Sequence, residues 1–386
     1  MKLGDLVRIR TGRLDANRAT DRGRYPFFTC AAEPLRIDDW QYDCECVLVA
    51  GNCNPYVSYY CGKFNAYQRV YIIEVEALDR LCAKYLYYFL KLYMKRSTDR
   101  QHGAIEKFFH LSDFTDIEVD FPSVEEQRLV ADSLWTIDRK IALNRKRIAT
   151  LEAMAKEIYD YWFVQFDFPD AHGRPYKSSG GAMVYNPDLK REIPKEWEVK
   201  PLGELMKTNT SSYSERTLPS RIQYIDIAAV SNGVVSSKTE YDRDQAPGRA
   251  RRIAKKGDTI WSSVRPNLRA YALVLNPQEG DVFSTGFTVL SPVEVPYGFL
   301  YLTVTTEAYV SYLVSRTGNS AYPAVLPSAF GEYEIAVPPR DLLDRFADQT
   351  ERMFDLRQNC FDEIQSQSSL RVFLLPLLMN GQVKVE

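Results

Sequence analysis

Ser112-Asp113-Phe114, Glu118-Val119 and Pro122, followed by a helical run, recur in the same order as Ser328-Ala329-Phe330, Glu334-Ile335 and Pro338, followed by a second helical run. Further out, Leu3-Gly4-Asp5-Leu6 precedes the first set and Leu202-Gly203-Glu204-Leu205 precedes the second. A repeat of this size implies two equivalent modules and two equivalent spacers.

The first spacer opens with Ser123-Val124-Glu125-Glu126, a capping box in which the Ser123 hydroxyl and the Glu126 carboxylate satisfy each other's backbone amides. A heptad seam follows: Val130, Leu134, Ile137, Ile141, Asn144, Ile148, Leu151, Ala155, Ile158 and Trp162. Its steps alternate four and three, as a coiled-coil face requires. Such a helix is roughly 60 Å long. Asn144 interrupts the apolar run and is read as a buried amide that fixes register, rather than as a surface residue on a kinked seam. The second spacer has a looser seam through Leu342, Phe346, Gln349, Met353, Leu356, Cys360, Ile364, Leu370 and Leu374. Each helix is too apolar on one face to stand alone in water, so pairing them is the economical solution.

The expected architecture is α+β. Two mixed α/β modules are joined by two long antiparallel coiled-coil helices, with a pseudo-twofold internal repeat. The boundaries read as a first module at 1–121, a central helix at 122–165, a connector at 166–195, a second module at 196–337 and a distal helix at 338–381. Strands are expected at Cys46–Ala50, Tyr56–Tyr60 and Val70–Val75, and a helix over Leu78–Met94. The second module offers strands at Tyr224–Val230, Thr259–Ser262, Ala270–Leu275 and Phe287–Leu290. The connector, with Pro169, Gly173-Arg174-Pro175, Ser178-Ser179-Gly180-Gly181 and Asn186-Pro187, shows no helical period.

The 386 residues carry a net charge of −2, so no global positive field advertises a polyanion partner. Local basic faces remain open to one. Seven cysteines, an odd number, and an N-terminus without an apolar core fit a cytoplasmic protein. The longest strongly apolar stretch, Val372–Met379, is too short for a membrane span and contains Pro376. Cys44, Cys46, Cys53 and Cys61 match no paired zinc spacing and read as buried thiols. His102, His110 and His172 sit in no metal or triad pattern, and there is no Walker loop or dinucleotide fingerprint. Nothing marks the chain as an enzyme.

Four stretches together resemble the specificity subunits of type I restriction–modification systems. They are Pro122-Ser123-Val124-Glu125-Glu126-Gln127-Arg128; Leu151-Glu152-Ala153-Met154-Ala155 through Trp162-Phe163-Val164-Gln165-Phe166-Asp167; Pro175–Gly181 leading to Ile193-Pro194-Lys195-Glu196-Trp197; and Leu374-Leu375-Pro376-Leu377-Leu378-Met379-Asn380-Gly381. The resemblance implies two target recognition domains, each reading one half of a split site in double-stranded DNA. It further implies that the helices act as a ruler between half-sites and dock two methyltransferase subunits, which carry S-adenosylmethionine and methylate adenine. Restriction/translocase subunits would join them for ATP- and magnesium-dependent cleavage, so that no cofactor resides in this chain. Glu126, Gln127, Asn144 and Trp162 are the expected partner and helix-register residues. Two departures stand out. The Trp-containing lead-in Glu196-Trp197-Glu198-Val199 has no counterpart ahead of Leu3, and the second helix opens with Pro338-Pro339-Arg340-Asp341 and lacks Glu-Gln. The two docking sites are therefore expected to differ.

Base edges are read by Arg, Lys, Asn and Gln, and phosphates by positive charge. In the first module the candidates are Arg10, Arg13, Arg18, Arg22 and Arg24, then Lys63, Asn65 and Tyr67 in the turn-like segment Gly62–Arg69, then Arg100 and Lys107. In the second they are Arg249, Arg251, Arg252 and Lys255, then Arg265 and Arg269, then Tyr322. The rival readings are a coiled-coil protein–protein adaptor without DNA binding, and an enzyme using the cysteine cluster with a metal.

Overall fold

The computed structural model describes residues 1–51, 56–99, 109–317 and 323–385. The chain divides into two compact units, Met1–Leu143 with Glu363–Glu386, and Asn144–Asp362.

Unit one is built on strands β1 (Val7–Thr11), β2 (Tyr25–Phe28), β3 (Leu35–Ile37), β4 (Tyr42–Ala50), β5 (Val57–Ala66) and β6 (Val70–Val75). They form one six-stranded sheet in the order β1-β6-β4-β5-β2-β3, with β2 and β5 parallel. Alternation along β4 sorts the two faces. Val47 and Val49 join Ile73 under helix α1 (Ala83–Asp99), while Cys46 and Leu48 join Phe64 and Ile72 on the opposite face. The helical turn α2 (Ser112–Thr115) precedes the long helix α3 (Val124–Tyr159). Val130, Ala131 and Leu134 of α3 close the core beneath α1, together with Leu374, Leu375 and Leu378 from the last helix of the chain. The α1 helix starts later and runs further than the expected Leu78–Met94, because Ala77 to Leu81 form a hydrogen-bonded turn first. The segment expected as a turn from Gly62 is instead the second half of β5, paired with β4 from Val57 to Phe64.

Beyond Tyr159, α3 passes into a π-helical stretch, Asp160–Val164, in which the Gln165 amide donates to the Asp160 carbonyl at 2.8 Å. The widened turn buries the consecutive residues Trp162 and Phe163. The connector then folds into a hairpin of β7 (Met183–Asn186) and β8 (Arg191–Pro194), an element that the absence of periodicity concealed. Phe168 stacks on Tyr176 on one side and Trp197 on the other, at 4.6 and 5.4 Å.

The rest of unit two runs through β9 (Glu198–Pro201), α4 (Leu202–Leu205), β10 (Met206–Thr208), β11 (Arg221–Ile225), β12 (Val230–Ser231), β13 (Val234–Val235), β14 (Thr239–Asp242), β15 (Ala250–Arg252), β16 (Thr259–Ser262), β17 (Tyr271–Leu273), β18 (Asp281–Ser284), β19 (Phe287–Pro292), α5 (Tyr297–Val304), α6 (Glu307–Ser315), β20 (Glu334–Val337) and α7 (Arg340–Met379). Two four-stranded sheets result, β10-β19-β16-β17 and β14-β11-β18-β15. The span Tyr224–Val230 is not one strand: β11 ends at Ile225, and Asp226 caps a 3-10 turn over Ile227–Ala229. An aromatic core of Tyr159, Trp162, Phe163, Phe166, Trp197, Phe299 and Phe346 ties the end of α3 to α5 and the start of α7.

The seam of α3 is buried at Val130, Leu134, Ile137, Ile141, Asn144, Ile148, Ala155 and Trp162. The seam of α7 is rephased. Leu342 and Phe346 are buried as expected, but Gln349 and Leu356 are exposed, and the other inward positions are Leu343, Thr350, Phe354 and Arg357. Two polar residues occupy that stripe, so an apolar periodicity could not register it.

Candidate nucleic-acid interface

In unit one, β1 carries Arg8 and Arg10 on the sheet face away from α1. Both engage Glu74 of β6, at 3.1 and 2.8 Å, and the Arg10 guanidinium lies 4.8 Å over the Tyr42 ring. Arg8 also reaches Glu76 at 3.6 Å, so two carboxylates face the two guanidiniums. Past β1 the chain closes onto the end of β5: the Arg13 and Leu14 amides donate to the Ala66 carbonyl, and Leu14 bridges Tyr67. Only glycine fits at position 12, where a Cβ would stand 2.3 Å from the Ala66 and Tyr67 carbonyl oxygens. Two clusters distant in sequence, Arg13 and Tyr67, thus become neighbours. Arg13, Arg18, Arg22 and Arg24 are exposed and form no ion pair among the described residues. Lys63 lies 4.4 Å over the Trp40 ring. Asn65 is fully buried, with its amide directed to Asp39, so it braces the sheet and presents nothing outward. Arg100 and Lys107 lie outside the described residues.

In unit two, Arg251 and Arg252 on β15 are half-buried. Arg251 donates to the Ala250 carbonyl at 2.8 Å, and Arg252 donates to Ser212 Oγ at 3.0 Å. Burial pushes the Arg252 guanidinium below its ordinary pKa. Arg249 and Lys255 are exposed. The loop from β16 to β17 is the most constrained of the basic segments. Arg265 and Arg269 flank a 3-10 turn at φ +48° and +55°, left-handed values that cost a non-glycine residue about 1 kcal/mol each. Their surroundings hold them there. The Arg265 amide donates to the Pro323 carbonyl, Val264 bridges Ala324, and Arg269 grips Glu307 bidentately at 2.6 Å. Tyr322 lies outside the described residues, but its neighbour Pro323 is thereby tied to Arg265.

On the helices, the capping box forms as read: the Glu126 amide donates to Ser123 Oγ at 3.3 Å, and the Ser123 amide donates to the Glu126 carboxylate at 3.1 Å. Gln127 is wholly buried. It accepts from the Cys82 amide at 2.9 Å and donates to the Arg80 and Pro122 carbonyls at 2.8 and 2.9 Å. It therefore anchors α3 to unit one and is not presented to a partner. Asn144 is 2 % exposed and accepts from Arg147 at 3.4 Å. Trp162 packs on Phe163 and Phe346. Sequence reasoning passed over Asp138, Arg371, Glu152 and Arg357. Within unit one, Arg371 meets Asp138 at 2.5 Å, and Tyr88 donates to the same carboxylate at 2.7 Å. Within unit two, buried Arg357 meets Glu152 at 2.6 Å. Each of the four stands one position after a residue of the expected seam, Ile137, Leu151, Leu356 and Leu370, so the apolar pattern gave no signal for them.

Among the described residues no group of three or more His, Cys, Asp or Glu could hold a metal, and no helix is long and apolar enough to cross a membrane. Of the cysteines expected as buried thiols, Cys46 is buried and its thiol is held far above the usual range by desolvation, but Cys44 is only half-buried and Cys61 is exposed, because it lies toward the open half of β5; Cys53 lies outside the described residues.

The family model described as "Type I restriction modification DNA specificity domain" matches residues 1–153. The chain is 25 % identical to the type I restriction enzyme EcoDI specificity subunit of Escherichia coli, over 92 % of this chain and 80 % of that one. It is 24 % identical to the MjaIX specificity subunit of Methanocaldococcus jannaschii, over 80 % of this chain and 71 % of that one. Its fold is similar to the crystal structure of the S subunit of a type I restriction–modification system from M. genitalium, with a TM-score of 0.66 at 18 % identity, covering 98 % of this chain and 95 % of the other. The family model over the first 153 residues and the sequence relatives agree in likening this chain to the specificity subunits of type I restriction–modification systems.

Proposed function

We propose that this chain reads a bipartite site in double-stranded DNA, one half-site per module, and scaffolds two methyltransferase subunits and the restriction/translocase subunits. In this reading it works in the cytoplasm and performs no chemistry itself. S-adenosylmethionine, ATP and magnesium serve the partner subunits.

The observation that carries the reading is the shared local construction of the two modules. The Leu3 amide donates to the Ile117 carbonyl at 2.9 Å, and the Leu202 amide donates to the Tyr333 carbonyl at 2.9 Å. Each Leu-Gly-acid-Leu turn is thus held by the segment that follows a Ser-x-Phe turn, and each such segment leads through proline into a long helix. Two equivalent heads suit two half-sites on one face of a duplex, with centres roughly one helical turn apart.

An antiparallel pairing of α3 with α7 is supported by the ion pairs within each unit. Asp138 and Glu152 lie two heptads apart on α3, and their partners Arg371 and Arg357 lie two heptads apart on α7 in the opposite order. The pseudo-twofold repeat follows from that pairing. The adaptor alternative is not favoured by the likeness to specificity subunits. The decisive experiment exchanges residues 197–337 for the corresponding module of such a subunit and sequences the methylated motif. One half-site should change and the other should persist; a change in both halves, or in neither, sinks the modular reading.

A further inference from the structure

Arg357 is 1 % exposed, near the middle of α7. Its Nε donates to Glu152 Oε1 at 2.6 Å, its Nη2 donates to the Gly233 carbonyl at 2.7 Å, and its guanidinium lies 4.7 Å over the Phe361 ring. Gly233 sits in the Asn232-Gly233 turn between β12 and β13, at φ +84°. A Cβ there would stand 2.7 Å from Tyr301 Oη and 3.0 Å from Arg357 Nη2, so the turn is fitted to the arginine. The same turn reaches in the other direction. The Asn232 amide donates to the Arg269 carbonyl at 2.9 Å, and the Gly233 amide donates to the Tyr271 carbonyl at 2.8 Å. Arg269 closes the left-handed loop that begins at Arg265. A continuous chain of short hydrogen bonds therefore runs from Glu152 and Arg357 on the helices, through the Gly233 turn, to the loop bearing the two arginines.

A buried ion pair contributes little net stability, since its desolvation offsets its attraction, and an apolar pair of the same volume would hold the helices as well. What a guanidinium adds is direction: its planar donors fix a carboxylate and a carbonyl at set angles. We infer that Arg357 is a positioning residue for DNA recognition by the second module, setting the pose of the Arg265–Arg269 loop without touching DNA. This inference rests on the function proposed above.

The test expresses the full chain with its cognate methyltransferase subunits and sequences the methylated motif for wild type, Arg357→Met and the double variant Glu152→Met with Arg357→Met. Arg357→Met should lower base discrimination roughly tenfold at the half-site read by the second module, a loss of the size of one base-edge interaction, and leave the other half-site unchanged. The double variant removes both charges. It should recover the thermal stability lost in the single variant but not the discrimination. Methylation that merely weakens, with the motif intact at both half-sites, overturns the inference, as does relaxation of both half-sites together. Recovery of discrimination by the double variant also overturns it. A wild-type chain that directs no bipartite motif overturns the parent reading and this inference with it.

Discussion

The side chain of Gln127 donates to the main-chain carbonyl of Arg80 at 2.8 Å, clamping the first turn of α3 to the segment just ahead of α1. In unit two the corresponding carbonyl, that of Glu294 just ahead of α5, is caught by a different residue: Arg340 Nη1 donates to it at 3.1 Å. The missing Glu-Gln pair of the second helix is thus a change of chemistry at a retained junction. Gln127→Ala should destabilise unit one by about 3 kcal/mol, because the Cys82 amide and the Arg80 and Pro122 carbonyls lose their partner. Arg340 is exposed, and Arg340→Ala should stay within about 1 kcal/mol. Equilibrium urea denaturation measures both.

Asp258 gives stability a pH dependence of known sign. Burial raises its carboxyl pKa, although the Lys255 amide donates to it at 2.7 Å. The folded state therefore binds this proton more tightly than the unfolded chain does. The group costs stability once ionised, and that cost fades as pH falls from above the raised value to the ordinary carboxylate range. Asp258→Asn should be more stable than wild type at about pH 7, and the difference should vanish at about pH 3. An advantage that grows on acidification would contradict the desolvation account.

Arg265 and Arg269 should contribute to DNA binding through charge. Replacing either by Ala should weaken binding of the assembled complex to duplex and lower the slope of log affinity against log salt by about one for each phosphate no longer neutralised. Stability should fall by no more than about 1 kcal/mol for Arg269→Ala, whose partner Glu307 is solvent-exposed. Fluorescence titration at several salt concentrations reads the slope.

A heptad inserted in α3 between Ile141 and Ile148, matched by seven residues in α7, should lengthen the spacer of the methylated motif. Seven helical residues add about 10 Å, or about three base pairs at 3.4 Å each. Both half-sites should remain as they were. An unchanged spacer would remove the ruler.

The long seam of α3 was legible because an apolar residue or Asn144 stood at every step from Val130 to Trp162. The seam of α7 was not, because Thr350 and Arg357 fill inward places that hydropathy assigns to the surface. Strands β6 and β16 were readable as short β-branched runs ended by turn residues. The second half of β5 was hidden by Gly62, Lys63 and Asn65, which resemble a turn until β4 is seen pairing with them. The basic clusters could be located along the chain but not joined. The meeting of Arg13 with Tyr67 depends on a bridge across 53 residues, from Leu14 to Tyr67, and that of Arg265 with Pro323 on a hydrogen bond that no local pattern encodes.

The π-helical stretch after Tyr159 bears on how chimaeras of this chain should be cut. It holds one more residue per turn than its flanks, which is what lets Trp162 and Phe163 both enter the aromatic core. Trimming that extra residue to tidy an alignment would rotate everything joined behind it by about 100° around the helix axis. Splice points placed after Phe166 keep the wide turn with its own core, whereas junctions upstream of Asp160 inherit whatever phase the donor supplies.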